Sequence, residues 1–130
     1  MNLDDLLESL PNGLHDARLR RFEVDYINRT ASIVVSIWIG DSGGNRETRE
    51  VYRHARIDLQ QLAFAAVDAP EKAVGDGNLR IDVGTGVAPS SDLTLPADLP
   101  KGCSVHWIFV TQWNAFIHFA AETASIHWMD

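Results

Sequence analysis

Hydrophobic and polar positions alternate along most of this chain. Phe22, Val24 and Tyr26 alternate with Glu23 and Asp25, and Ile33, Val35, Ile37 and Ile39 alternate with Ser32, Val34, Ser36 and Trp38. A period of two marks strands that bury one face. The spacing predicts a hairpin with arms 17–27 and 31–39 around Asn28-Arg29-Thr30. A two-residue loop at Asn28-Arg29 would set Val24 opposite Ile33 and Phe22 opposite Val35, so that both arms bury the same side. The strand pattern returns over 48–58, with Val51, Arg53, Ala55 and Ile57 on one side.

Two segments read as helix. Over 2–10, Asn2 can cap, Asp4 and Asp5 suit the positive end of the helix dipole, and Leu3, Leu6, Leu7 and Leu10 share a face before Pro11-Asn12-Gly13 stops it. After Asp58, with Gln61 in capping-box position, Leu59, Leu62, Ala63, Ala66 and Val67 keep helical spacing up to Pro70. Residues 71–102 are broken by Gly75, Gly77, Gly84, Gly86, Pro89, Pro96, Pro100 and Gly102, and read as loop around one short strand, Leu79 to Val83. Three apolar, aromatic stretches close the chain: 103–111, 115–121 and 124–129, separated by Gln112-Trp113-Asn114 and Glu122-Thr123. Sequential hairpins follow from that spacing. The expected architecture is one domain over 1–130 of α+β type, mainly antiparallel β. It is a curled sheet or sandwich with a short N-terminal helix and room for one further short helix.

Pairing the last two stretches about Glu122-Thr123 sets Ala121 against Ala124, Phe119 against Ile126 and Ile117 against Trp128, an apolar set that reads as core. The same register sets His118 opposite His127, two imidazoles close enough to share a metal or an anion. Two ligands do not complete a metal site, so no metal and no cofactor are expected. The five histidines, 15, 54, 106, 118 and 127, show none of the helical zinc spacings. His15 and Asp16 would point to opposite sides of a strand and make no dyad by adjacency alone. Ser104, His106 and Asp92 have no triad-like spacing, so no catalytic residue is assigned. The run Gly40-Asp41-Ser42-Gly43-Gly44-Asn45 lacks the Lys-Ser/Thr of a P-loop and reads as a connector. Trp107, on a strand with Phe109, reads as core, whereas Trp38 and Trp113 are candidates for a binding surface.

Charge narrows the function classes. Eleven Lys and Arg against 18 Asp and Glu give a net charge of −7 in 130 residues. A field of that sign repels phosphate backbones, so nucleic acid is not an expected partner; a basic protein is. No apolar run approaches the roughly 20 residues of a membrane-spanning helix. The acidic start, Met-Asn-Leu-Asp-Asp, is unlike a secretory signal, which gives a cytoplasmic expectation. A single cysteine, Cys103, excludes an intrachain disulfide and reads as a small core residue. A homo-oligomer is compatible with the sequence.

Two segments carry a resemblance. Leu10-Pro11-Asn12-Gly13-Leu14-His15-Asp16-Ala17, followed by a strand ending Val24-Asp25-Tyr26, and Thr111-Gln112-Trp113-Asn114-Ala115-Phe116-Ile117-His118 together resemble small uncharacterised bacterial β-rich domains. Some domains of that kind are grouped with the immunity proteins of toxin systems. The resemblance implies a bacterial origin and a protein that acts by binding. The expected function is therefore non-enzymatic protein binding, with Trp38, Asp41, Glu47, Glu50 and Trp113 as candidate contact residues. The alternative is a small-molecule or metal-binding domain with its site on the His118/His127 face.

Overall fold

The computed structural model describes residues 1–71 and 79–129. The chain opens with helix α1 (Leu3–Glu8), capped by the Asn2 side chain, which accepts from the Asp5 N–H at 2.8 Å. Six strands follow: β1 (Ala17–Asp25), β2 (Thr30–Trp38), β3 (Tyr52–Val67), β4 (Leu79–Thr85), β5 (Ser104–Val110) and β6 (Ala115–Trp128). A second short helix, α2 (Arg46–Arg49), lies between β2 and β3. The strands pair antiparallel in the order β1-β2-β3-β6-β5-β4 and close into a barrel through β1 and β4. The predicted β-rich α+β class holds. The sheet is neither an open curl nor a sandwich, because Ala17, Arg18 and Leu19 pair with Ile81, Arg80 and Leu79 and join the two ends of the sheet.

The interior is apolar and filled. Leu19, Ile33, Val35, Ile37, Ile57, Leu59, Ile81, Ile108, Val110 and Phe119 are all buried. His106 is buried among them at 1% exposure, stacked on Phe119 with ring centroids 5.9 Å apart. Its Nε2 meets Asp4 Oδ1 at 2.8 Å, which ties α1 to the barrel. The Met1 carbonyl accepts from the Ala124 N–H at 2.8 Å, and Leu3 and Leu6 are buried, so α1 closes one end of the barrel as a lid.

The β1–β2 hairpin forms as the alternation predicts, but in a register shifted by two. Phe22 faces Ile33, Val24 faces Ala31 and Leu19 faces Val35. Asp25 sets the longer turn: its carboxylate accepts from the Ile27 and Asn28 N–H groups, both at 3.1 Å, and Arg29 takes a positive φ of 54°. A slip of two keeps every side chain on its expected face.

The predicted helix over 59–67 is instead the second half of β3. Ala55, Ile57 and Leu59 keep a period of two, Gln61 takes a positive φ of 51° as the inward position moves to Leu62, and one extra residue sits between Leu62 and Phe64. Helical spacing from Leu59 to Val67 is thus a strand interrupted by one extra residue. Arg29 and Leu62 exchange bonds across the bulge: the Leu62 N–H donates to the Arg29 carbonyl at 2.9 Å, and Arg29 Nε to the Leu62 carbonyl at 3.3 Å.

The predicted hairpin at Glu122-Thr123 is also absent. Residues 115–128 run as one strand whose inward positions change parity there, from Ala115, Ile117 and Phe119 to Ala124 and Ile126. The second short helix lies at 46–49 and takes up the first two residues of the segment 48–58 that reads as strand. Gly75 and Gly77 fall outside the described residues. No described helix is long and apolar enough to cross a membrane.

Candidate functional site

Strand β5 alternates so that His106, Ile108 and Val110 point into the barrel while Trp107 and Phe109 point out, both half-buried. This reverses the expected core placement of Trp107 and Phe109. In the sequence His-Trp-Ile-Phe-Val both alternate sets are bulky, and closure of the barrel selects the narrower one for the interior. On β6 the outward neighbours are Phe116, opposite Phe109, and His118, opposite Trp107. On β4 they are Asp82, opposite Phe109, and Gly84, opposite Trp107. A Cβ on Gly84 would run into the Trp107 ring, so the absence of a side chain there lets the indole lie on the backbone. The Phe109 and Phe116 rings are 4.9 Å apart, and Trp107 meets Phe116 edge-on at 5.8 Å.

These aromatics floor a trench with two connected parts. One, of about 350 Å³, is lined by Asp82, Pro89, Ser90, Trp107, Phe109, Asn114 and Phe116. The other, of about 620 Å³, shares Ser90, Asn114 and Phe116 and adds Asp68, Ser91, Asp92 and Leu93. The segment 86–93 forms one wall, the β5–β6 hairpin the other. Three carboxylates, Asp68, Asp82 and Asp92, stand along it. Asp68 is positioned by the chain: its Oδ2 accepts from the Phe116 N–H at 3.2 Å, and its own N–H donates to the Phe116 carbonyl.

His15 extends this acidic line towards β2. Its Nδ1 is 2.6 Å from Asp82 Oδ1, its Nε2 is 3.5 Å from Asp16 Oδ2, and its ring centroid is 6.2 Å from that of Trp38. Residue 15 lies in a turn rather than a strand, and Asp16, at φ 55°, brings its carboxylate back to the ring. The pair that strand geometry would have separated is thus a contact. The hydrogen bond to Asp82 raises the His15 pKa above its ordinary value; desolvation opposes it, and the charges of Asp16 and Asp82 add to it. A raised pKa works against the neutral imidazole that a general base needs.

The predicted His118–His127 pair does not form. The two residues lie nine apart on one continuous strand. His118 pairs with Ala66 and Trp107 and is 1% exposed, while His127 pairs with Arg56, and its half-exposed ring contacts Asp58 at 3.2 Å. His118 Nε2 accepts from the Ala88 N–H at 3.1 Å. Burial holds its pKa below the usual histidine value, with Asp68 pulling the other way. Among the described residues no three His, Cys, Asp or Glu side chains come together to hold a metal ion.

Trp38, Asp41, Glu47 and Glu50 do share one exposed region, the β2–β3 connection. Trp38 is committed there: its Nε1 donates to the Arg49 carbonyl at 2.5 Å, and a Cβ on Gly40 beneath it would collide with that same carbonyl. Asp41 Oδ1 accepts from the Gly43 N–H at 2.9 Å, and Glu50 pairs with Arg46 at 3.4 Å. Glu47 is exposed in the first turn of α2. Trp113 lies outside that connection, half-buried against the core in the 3-10 turn Thr111–Trp113, where its carbonyl accepts from the Glu71 N–H. Cys103 is half-buried beside Arg29 and Glu122 rather than in the core, and burial raises its pKa. Sequence reasoning missed Trp107, Phe109, Phe116 and Asp82. A glycine opposite an aromatic in a predicted strand was the one signal that could have found them.

No protein-family profile matches the chain, and no curated protein matches it. Among solved structures, an uncharacterised protein from Neisseria gonorrhoeae is similar with a TM-score of 0.43 and 14% sequence identity, over 87% of this chain and 91% of that one.

Proposed function

We propose that this chain is a non-enzymatic binding module that takes a basic segment of a protein partner in the trench on β4, β5 and β6. The observation that carries this reading is the aromatic floor of Trp107, Phe109 and Phe116 standing among Asp68, Asp82 and Asp92. Guanidinium and ammonium groups are attracted both to ring faces and to carboxylates, and the aliphatic stems of Arg and Lys pack on apolar surface. The net charge of −7 adds a long-range field of the same preference. Asp41, Glu47 and Glu50 contribute to that field from the β2–β3 connection, and Trp38 serves to fasten the connection rather than to anchor a partner. The likeness of the sequence motifs to immunity-type domains agrees with a protein that acts by occupancy rather than turnover.

The test is titration of the full chain with an Arg/Lys-rich peptide, followed by tryptophan fluorescence, against an acidic peptide of equal length. The basic peptide binds and the acidic one does not, and raising the salt concentration slows association as the Debye length falls below about 10 Å. Trp107→Ala weakens binding by about 2 kcal/mol, a loss of roughly thirtyfold, as truncation of an aromatic anchor does. Equal binding of both peptides, or an unchanged affinity in Trp107→Ala, overturns the reading.

A further inference from the structure

The wall of the trench is fastened to the barrel at a titratable point. At its base the Gly86 N–H donates to the Val105 carbonyl at 2.7 Å. Beyond that base, Ala88 is the buried residue of the stretch 86–103, and its N–H donates to His118 Nε2. The next bonds are internal to the segment, from Ser91 N–H to the Ala88 carbonyl and from Leu93 N–H to Ser91 Oγ. A ring nitrogen that accepts an N–H has its lone pair committed, so His118 is neutral with its proton on Nδ1. Protonating Nε2 would set one N–H against another inside a site that water does not reach, and a buried donor without an acceptor is costly.

We propose that His118 is an acid-sensitive latch for the segment 86–93. As the neutral imidazole it holds the Ala88 N–H and keeps the trench wall in place; on protonation it releases that wall. The consequence for partner binding rests on the trench reading above, whereas the latch stands on its own geometry.

The groups around the ring set the direction. Phe116 on its own strand, Trp107 across on β5 and Ala66 across on β3 carry no charge. Asp68, just past the end of β3, is the carboxylate whose field reaches the ring, and it favours the cation. Asp92 lies on the released segment side of the groove. Desolvation outweighs Asp68, so the latched form binds fewer protons than the released one. The latch is therefore complete above about pH 6.5, the ordinary histidine value, and is lost as the pH falls from there through the lower value of the buried ring.

Amide hydrogen exchange at Ala88, measured by NMR on the full chain and corrected for the intrinsic rate, tests this. Protection of Ala88 falls by up to about tenfold for each pH unit between about 6.5 and the lower titration of the buried ring, while the Ile57 and Ile108 amides keep theirs. His118→Gln supplies a neutral acceptor that does not titrate, and its Ala88 protection stays level from pH 7.5 to 5. Level protection in the native chain, or the same acid loss in His118→Gln, overturns the latch. Should the variant not fold, the Nε2 nitrogen shift of native His118 decides: it titrates in step with Ala88 exchange, and a ring that stays neutral while the segment opens refutes the proposal. Binding of the Arg/Lys-rich peptide at both pH values separates the two readings. A peptide that binds at neither pH removes the trench function and leaves the exchange result to judge the latch.

Discussion

The barrel presents two outer faces of opposite chemistry, and β6 contributes to both. Its first half, against β5, turns Phe116 and His118 outwards beside Trp107 and Phe109. Its second half, against the start of β3, turns Ser125 and His127 outwards beside Arg56 and Asp58. On that polar face the side chains satisfy one another. Asp58 accepts from Ser32 Oγ at 2.9 Å and from Arg56 Nε at 3.0 Å and meets His127, while Ser36 Oγ contacts His54 Nδ1 at 2.8 Å. On the aromatic face, the rings meet edge-on or tilted and are only partly covered. A face whose polar groups are already partnered has little to offer a ligand. A face of partly covered rings gains by covering them.

The difference can be broken most strongly at Gly84. Gly84→Ala drives a methyl group into the Trp107 ring, and it costs about 1–3 kcal/mol as an overpacked site does. Urea denaturation measures the loss, and a drop in peptide affinity accompanies it because the floor has moved. Ser125→Ala, at an exposed position of the polar face, changes stability by less than about 0.5 kcal/mol in the same assay.

A smaller effect comes from the polar face itself. Asp58→Ala removes the shared acceptor of Ser32 and Arg56 and loses about 1 kcal/mol, while peptide binding in the trench is unchanged. A large loss of binding in this variant would mean that the two faces are not independent.

The smallest effect concerns the junction of the faces at His15. Its pKa is raised chiefly by the bond to Asp82, so its contribution to stability is present below about pH 6.5 and is lost as the pH rises through the higher folded value. The NMR titration of the ring has its midpoint above 6.5 in the native chain, and Asp82→Asn moves it down. His118 titrates in the opposite sense, so acid weakens one attachment at the trench while it preserves the other.

Much of the fold was legible where the pattern is local. Asn2 with Asp4 and Asp5 announced α1, and the alternations at Phe22–Val24 and Ile33–Ile37 announced β1 and β2. The errors lie where a strand shifts its phase. β3 changes phase at Gln61 and carries one extra residue between Leu62 and Phe64, which turns a period of two into spacings of three and four that imitate a helix. The parity change near Glu122-Thr123 lets a polar pair inside β6 imitate a turn. The two changes face each other, Gln60 opposite Thr123 and Leu62 opposite Ala121, so each strand bends with its partner. Nothing within either segment reports on the other. The candidate site was hidden for the same reason: whether Trp107 or His106 faces inwards depends on the closure between β1 and β4, far from both in sequence.

That closure bears on how any other chain can approach the molecule. A sheet that ends in a free strand exposes a row of unpaired N–H and C=O groups, onto which a foreign strand can add with little regard to its sequence. Here, among the described residues, three pairs join the two edges: Ala17 with Ile81, Arg18 with Arg80 and Leu19 with Leu79. Among the described residues this closure is the shortest of the barrel's six pairings. While it holds, the joined stretch of that row is closed to a foreign strand. If it parts, the backbone of β1 and β4 becomes sticky towards any extended peptide, and selective binding gives way to aggregation.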